Sequence, residues 1–280
     1  MRTHEGGSRR AEAALAVALL ALGALCQGCA SVPEAPATTG REGPRGYRAL
    51  FRGTTESSAG KIRFRLAIAL LPPDRLRLEF FGPAGGPRLV VASEGSAAVA
   101  ILPGERIYDA GDADPATLER LVGLPLIPSQ IIALLTGRPM CEPEVSEQRI
   151  ETRAAATFGR TLAWYTVTCP PGEIRYEARC DDRGGIIREA SVKEGISGAI
   201  IVQAEYEDYD DRLGPRWPRR IRLRLAHKDA AVELVALEGP SVSAVPESIF
   251  SPPVPEGFVK RSLLTSLTEP GLLGSAGDGR

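Results

Sequence analysis

From Lys61 the chain alternates between apolar and polar side chains. Ile62, Phe64, Leu66, Ile68 and Leu70 fall on one side, and Lys61, Arg63, Arg65, Ala67 and Ala69 on the other. Leu76, Leu78 and Phe80 repeat the pattern against Arg75, Arg77 and Glu79. Ile221, Leu223 and Leu225 repeat it against Arg220, Arg222 and Arg224. Successive side chains of a strand point to opposite faces, so this alternation predicts half-buried antiparallel strands with their arginines outward. Further runs lie at 89–92, 97–102, 106–108, 150–156, 162–169, 174–180, 186–192, 199–206 and 232–237. The turns among them hold Gly159, Gly172, Gly184, Gly185 and Gly195. Such a string of hairpins predicts a mainly β fold: a single curved antiparallel sheet, open as a half-barrel.

The pattern changes in the middle of the chain. Asp114 can cap a helix and Pro115 suits its first position, leading into 116–122 and stopping at Gly123. Leu118, Leu121 and Val122 share one stripe. A second helix starts at Pro128 and ends at Gly137, and its Ile131, Ile132, Leu134 and Leu135 leave almost no polar face. A short helix that is apolar nearly all round must be covered, or must cover something. Short apolar helices over the concave face of a sheet make a cup with a lid.

The ends of the chain differ from its body. Arg2, Arg9 and Arg10 precede an apolar run at 13–25, too short to span a bilayer comfortably and suited to a signal-peptide core. Gly28 before Cys29 suits a peptidase that needs a small residue there, and Leu25 before Cys26 does not. Residues 1–28 are therefore expected to be removed, leaving Cys29 first; cleavage near Ala30 in an ordinary secreted protein is the alternative. Residues 29–46 are rich in Pro, Gly, Ala and Thr and read as a tether. Residues 47–259 suit one β-rich domain, and 260–280 carry little core material and are expected to form a disordered tail.

Composition removes several functions. The formal charge is −1, aromatic content is 5%, and no basic patch alternates with aromatics, so nothing suggests nucleic acid. Past the signal segment His227 is the one histidine, and no G-x-S-x-G elbow accompanies it, so no enzyme is expected. A histidine-rich metal site is excluded by count, and no cofactor is implied. Glu205, Glu207, Asp208, Asp210 and Asp211 lack the spacing of a calcium loop and read as a strand end running into a solvated turn. Trp164 and Trp217 read as core or rim anchors. The outward arginines read as solvated exterior or, more specifically, as attraction to anionic lipid headgroups. Cys169 and Cys180 flank the turn at 170–173. A hairpin closed there sets Cys169 opposite Ile174 and Cys180 opposite Ala163, about 20 Å apart and beyond disulfide reach. A bridge would need Cys141; three buried thiols are the alternative.

Taken in order, these features resemble a known family. A cysteine and tether precede the strand 74–81, which enters the loop Gly82–Pro83–Ala84–Gly85. Two helices end in Leu134–Leu135–Thr136–Gly137–Arg138–Pro139, and a late strand pair follows at 218–225 and 231–237. The series resembles the LolB-like outer-membrane lipoprotein receptors, whose fold is shared with the LolA periplasmic carriers. The resemblance implies acylation of Cys29, and Ala30 after it, rather than Asp, favours the outer membrane, with the domain facing the periplasm. It implies an acyl-chain cup lined by Ile62, Phe64, Leu66, Ile68, Leu76, Leu78 and Phe80, with Leu118, Leu121, Ile131 and Leu135 from the helices. The implied partners are acylated lipoproteins or lipid and a LolA-like periplasmic carrier, with the protein acting as a monomer. Gly82, Pro83, Ala84 and Gly85 correspond to a membrane-facing loop that usually carries a large apolar residue, commonly Leu; Ala84 stands there instead. A structural envelope lipoprotein with a closed core, or a carrier for another amphiphile such as glycolipid, would present the same alternation.

Overall fold

The computed structural model describes residues 45–58, 60–82, 85–140, 162–169, 174–181, 186–210 and 216–262, all within the unit Gly43–Arg280. Residues 1–44 with Cys29, the run at 150–156, Cys141, Pro83, Ala84 and residues 263–280 lie outside them. Among the described residues, thirteen strands form one sheet. They are β1 (Arg45–Ser57), β2 (Gly60–Leu71), β3 (Arg75–Phe81), β4 (Pro87–Glu94), β5 (Ala97–Leu102), β6 (Ile107–Asp112), β7 (Leu162–Cys169), β8 (Ile174–Asp181), β9 (Ile187–Glu194), β10 (Ile200–Asp210), β11 (Trp217–Leu225), β12 (Ala230–Ala244) and β13 (Val259–Lys260). Among the described residues, two helices, α1 (Pro115–Val122) and α2 (Pro128–Thr136), follow β6.

The sheet order is β13-β6-β5-β4-β3-β2-β1-β12-β11-β10-β9-β8-β7. Every pairing is antiparallel except that of β13, which lies parallel on β6. Two meanders of sequential hairpins, β1 to β6 and β7 to β12, thus meet at the β1–β12 seam. The sheet curves without closing into a barrel, and the helices cover its concave face. The pairing takes in Arg45, Gly46 and Lys260, just beyond the expected 47–259.

The joining strand β1 alternates weakly in sequence. After Tyr47 its inward positions are Ala49, Phe51, Gly53 and Thr55, all buried, and of these only Phe51 is large and apolar. Gly53 is fixed by packing. It pairs with Phe64 on β2, and a Cβ there would sit 2.3 Å from the Phe64 ring. The β7–β8 register sets Cys169 opposite Ile174 and Ala163 opposite Cys180, the register expected for a hairpin turning at 170–173.

One large core fills the concave side, and a small second cluster sits on the outer face. There Ala69 and Leu71 of β2 meet Val245, Ile249 and Phe250 of the segment after β12. Arg77 holds that segment by donating to the Ile249 carbonyl at 2.8 Å, and Arg75 pairs with Glu247 at 3.0 Å.

Candidate functional site

The helices begin and end where local chemistry dictates. Asp114 is extended (φ −92°, ψ 167°) and its carboxylate accepts from the Thr117 N–H at 2.7 Å. That hydrogen bond is the main reason its carboxyl is held below the usual carboxylate range. Gly123 (φ 78°) closes α1 in the left-handed region that glycine adopts without strain. At α2 the Gln130 side chain accepts from the Ile127 N–H at 3.1 Å, Pro128 opens the first turn, and Gly137 (φ 64°) ends the helix. A Cβ at Gly137 would also sit 2.6 Å from the Tyr209 hydroxyl, so conformation and space both require glycine.

α2 carries no polar face of its own. Ile131, Ile132, Ala133, Leu134 and Leu135 are all buried, and two of the helix's three polar side chains serve its backbone, Ser129 being the third. Gln130 caps the first turn, and the Thr136 hydroxyl donates to the Ile132 carbonyl at 2.8 Å. This is the covering element that the sequence pattern requires.

Between helices and sheet lies a cavity of about 50 Å³ with a wholly apolar lining. Phe64, Leu66, Leu78 and Phe80 line it from β2 and β3. Leu223, Leu225, Val232 and Leu234 line it from β11 and β12, and Val122, Leu124, Ile131 and Leu135 from the helical segment. Six of the expected cup residues therefore converge on one void: Phe64, Leu66, Leu78, Phe80, Ile131 and Leu135. Ile62, Ile68, Leu76, Leu118 and Leu121 are buried in the same core without reaching the void. The wall from β11 and β12 was the part missed. Its alternation is plain in the sequence, but it faces β2 and β3 only because β1 lies between them. At the level of Phe64 and Leu234 that strand contributes Gly53, over which the Phe64 ring lies.

Three tyrosines fasten the end of α2. Tyr206 of β10 donates to the Leu134 carbonyl at 2.9 Å, taking one of the acceptors a helix C-terminus leaves open. Burial pushes the Tyr206 hydroxyl well above its ordinary pKa, so it stays a donor. Just past the helix, Arg138 donates to the Tyr47 hydroxyl of β1 at 2.8 Å, with its guanidinium 5.1 Å from that ring's centre. Tyr176 of β8 reaches the Arg138 carbonyl more loosely, at 3.5 Å. Tyr47 also packs edge-on against buried Trp217, with ring centres 5.4 Å apart. None of these contacts had a signal in the sequence.

The outer face carries the charge. Glu205, Glu207, Asp208 and Asp210 lie in the last part of β10, the expected strand end, and Glu205 and Glu207 serve the arginines of β11; the turn expected after them lies outside the described residues. Arg222 bonds Glu207 at 2.8 Å and Glu233 of β12 at 3.3 Å, and Glu205 stands 3.7 Å away. Among the described residues no group of three or more His, Cys, Asp or Glu side chains could hold a metal ion, and no helix is long and apolar enough to cross a membrane. His227 lies in the turn Ala226–Lys228 after β11, and its side chain is outside the described set. Of the expected membrane-facing loop, Gly82 and Gly85 are described, joined by a 3.3 Å hydrogen bond from the Gly85 N–H to the Gly82 carbonyl.

No protein-family model and no curated protein matches the sequence. Solved structures do match the fold. A LolA superfamily protein from Nitrosomonas europaea is similar at 11% identity and a TM-score of 0.54, covering 74% of this chain and 90% of its own. A putative outer membrane lipoprotein-sorting protein domain from Vibrio parahaemolyticus is similar at 10% identity and a TM-score of 0.52, covering 75% and 89%. A DUF1329 family protein from Desulfovibrio piger is similar at 10% identity and a TM-score of 0.54, covering 74% and 90%. The chain thus shares the open half-barrel seen in LolA-superfamily and lipoprotein-sorting proteins.

Proposed function

We propose that this protein is a lipoprotein of the outer membrane, anchored through acylated Cys29, that takes acyl chains of lipoproteins or lipids into its concave face and helps place lipoproteins in that membrane. The observation that carries this reading is the wholly apolar void between a curved sheet and a helix with no polar face. Acyl chains are costly to expose to water, at about 0.8 kcal/mol per methylene. A cup that hides them lets cargo cross an aqueous gap, and release follows once a bilayer competes.

The void is far smaller than an acyl chain, so uptake requires α2 to move. A fully buried sixteen-carbon chain contributes about 12 kcal/mol of transfer free energy. That gain has to offset the hydrogen bonds at Leu134 and Arg138, at about 0.5–1.5 kcal/mol each, together with the apolar contacts that α2 gives up as it moves. The tyrosine contacts lower apparent affinity by the fraction of molecules that are open and do not forbid binding. Ala84 in the loop after β3 offers a bilayer only a methyl group, so acyl-chain binding is better supported than membrane insertion by that loop.

The size of the void favours a second reading, a structural envelope lipoprotein with a permanently closed core. About 50 Å³ is well below the ~150 Å³ cavity that admits benzene in an engineered protein. One experiment separates the two. The full chain with Cys29→Ala is mixed with a periplasmic carrier loaded with an acylated lipoprotein, and transfer is followed. Bound lipid is sought in parallel by mass spectrometry. Transfer supports the receptor reading; bound lipid without transfer supports a carrier of another amphiphile such as glycolipid; neither leaves the structural reading.

A further inference from the structure

Arg52, Arg63 and Arg65 stand together on the outer face of β1 and β2. Arg52 is paired directly with Arg65, and Arg63 is the next outward position along β2. Directly opposed residues of an antiparallel pair hold their Cβ atoms about 5 Å apart, where like charges repel. All three side chains are exposed, and among the described residues none of the three forms an ion pair. Several other outward cations are matched, although Arg48 of β1 and Arg224 of β11 are exposed without an ion pair among the described residues. Lys61 pairs with Glu56, Arg77 with Glu79 at 2.5 Å, and Arg222 with Glu207 at 2.8 Å. The Arg65 guanidinium lies 5.8 Å from the centre of the half-buried Phe81 ring, which holds it against the sheet at the end of β3.

A cluster of unmatched guanidiniums on consecutive strands has a fork geometry suited to phosphate oxygens. The three lie side by side on an exposed ladder, an arrangement that fits an array of phosphates better than one small anion. We propose that Arg52, Arg63 and Arg65 dock the outer face of the sheet on the phosphate groups of an anionic lipid bilayer. This assignment does not depend on what enters the concave face.

The test uses the full chain with Cys29→Ala and vesicles of phosphatidylcholine, alone or with phosphatidylglycerol. The triple variant Arg52→Gln, Arg63→Gln and Arg65→Gln is expected to lose about fivefold in anionic-vesicle affinity per arginine, about 100-fold in all. Arg175→Gln, which removes one exposed charge from β8, is expected to change affinity by less than about twofold if its strand does not face the bilayer. Arg65→Gln alone relieves the repulsion, so it is expected to keep or raise Tm while weakening binding about fivefold. The proposal is overturned if the triple variant binds like the parent, or if it loses no more per charge than Arg175→Gln. It is equally overturned if inorganic phosphate, at matched phosphate concentration, releases the parent as well as vesicles bind it, which would mark a free-phosphate site.

Discussion

The two faces of the same strands are built for different work. On β2 the inward Ile62, Phe64, Leu66 and Ile68 are buried, while the outward Lys61, Arg63 and Arg65 are exposed. The inner face is sealed by α1, α2 and tyrosine contacts from β1, β8 and β10. Among the described residues, the outer face is covered where the segment ending at Phe250 crosses β2. The residues that could hold an acyl chain are therefore the ones that hold the fold together, whereas the outward charges can change with little effect on folding. A cup that is also the core must exchange one set of apolar contacts for another whenever it fills.

The largest effect should come from the inner face. Phe64→Ala removes a ring that packs over Gly53 and lies 5.7 Å from the Phe80 ring, and it is expected to cost about 3–5 kcal/mol in urea unfolding. Arg63→Ala, one residue away, should stay within about 0.5 kcal/mol. Equal costs at the two positions would break the division between faces. Tyr206→Phe comes next. It leaves the buried Leu134 carbonyl without its donor and should cost about 1–3 kcal/mol, while speeding uptake of a fluorescent fatty acid if α2 is the lid. Because the folded pKa of Tyr206 is raised, its contribution is fully present below about pH 10 and is lost as pH rises toward the folded value. Alkaline unfolding should therefore be less steep in the phenylalanine variant.

Much of this division could be read from the chain. Period-two alternation located β2, β3 and β11, and Asp114, Pro115 and Gly123 marked both ends of α1, because capping is a matter of neighbouring residues. The weak strand β1 was not legible, since Gly53 and Thr55 occupy inward positions for reasons set by its partners. Without β1 the two meanders cannot be joined, so the cavity wall from Leu223, Leu225, Val232 and Leu234 had no place. The tyrosine fastening was invisible for the same reason: Tyr47, Tyr176 and Tyr206 stand on three different strands and meet only at the end of α2. The pairing of Glu205 and Glu207 with Arg222 likewise depends on β10–β11 register.

At α1 the expected loss is smaller and separable by pH. Asp114→Ala removes the bond to the Thr117 N–H and should cost about 1 kcal/mol at neutral pH. The Asp114 carboxyl is held below its ordinary value by that bond. Its contribution is thus present above about pH 4 and fades as pH falls through the folded value. Parent and variant should converge in Tm below that range. A gap that persists in acid would mean that Asp114 acts through packing rather than through its charge.

The smallest effects compare outward arginines in different company. Arg222→Gln takes a cation from between Glu207 and Glu233 and leaves those carboxylates facing one another across β11. The pairs are partly exposed and screened, so the loss should be only about 0.5 kcal/mol, and smaller still in high salt. Arg65→Gln takes a cation from opposite Arg52, so its sign should reverse, with a gain of a few tenths of a kcal/mol that salt also erases. Chemical denaturation of both variants at low and high ionic strength reads the two signs directly. If Arg65→Gln destabilises as Arg222→Gln does, the β1–β2 cluster is held by contacts that offset its repulsion. Repulsion would then no longer distinguish the three arginines from Arg220 and Arg222, which are matched by Glu205, Glu207 and Glu233.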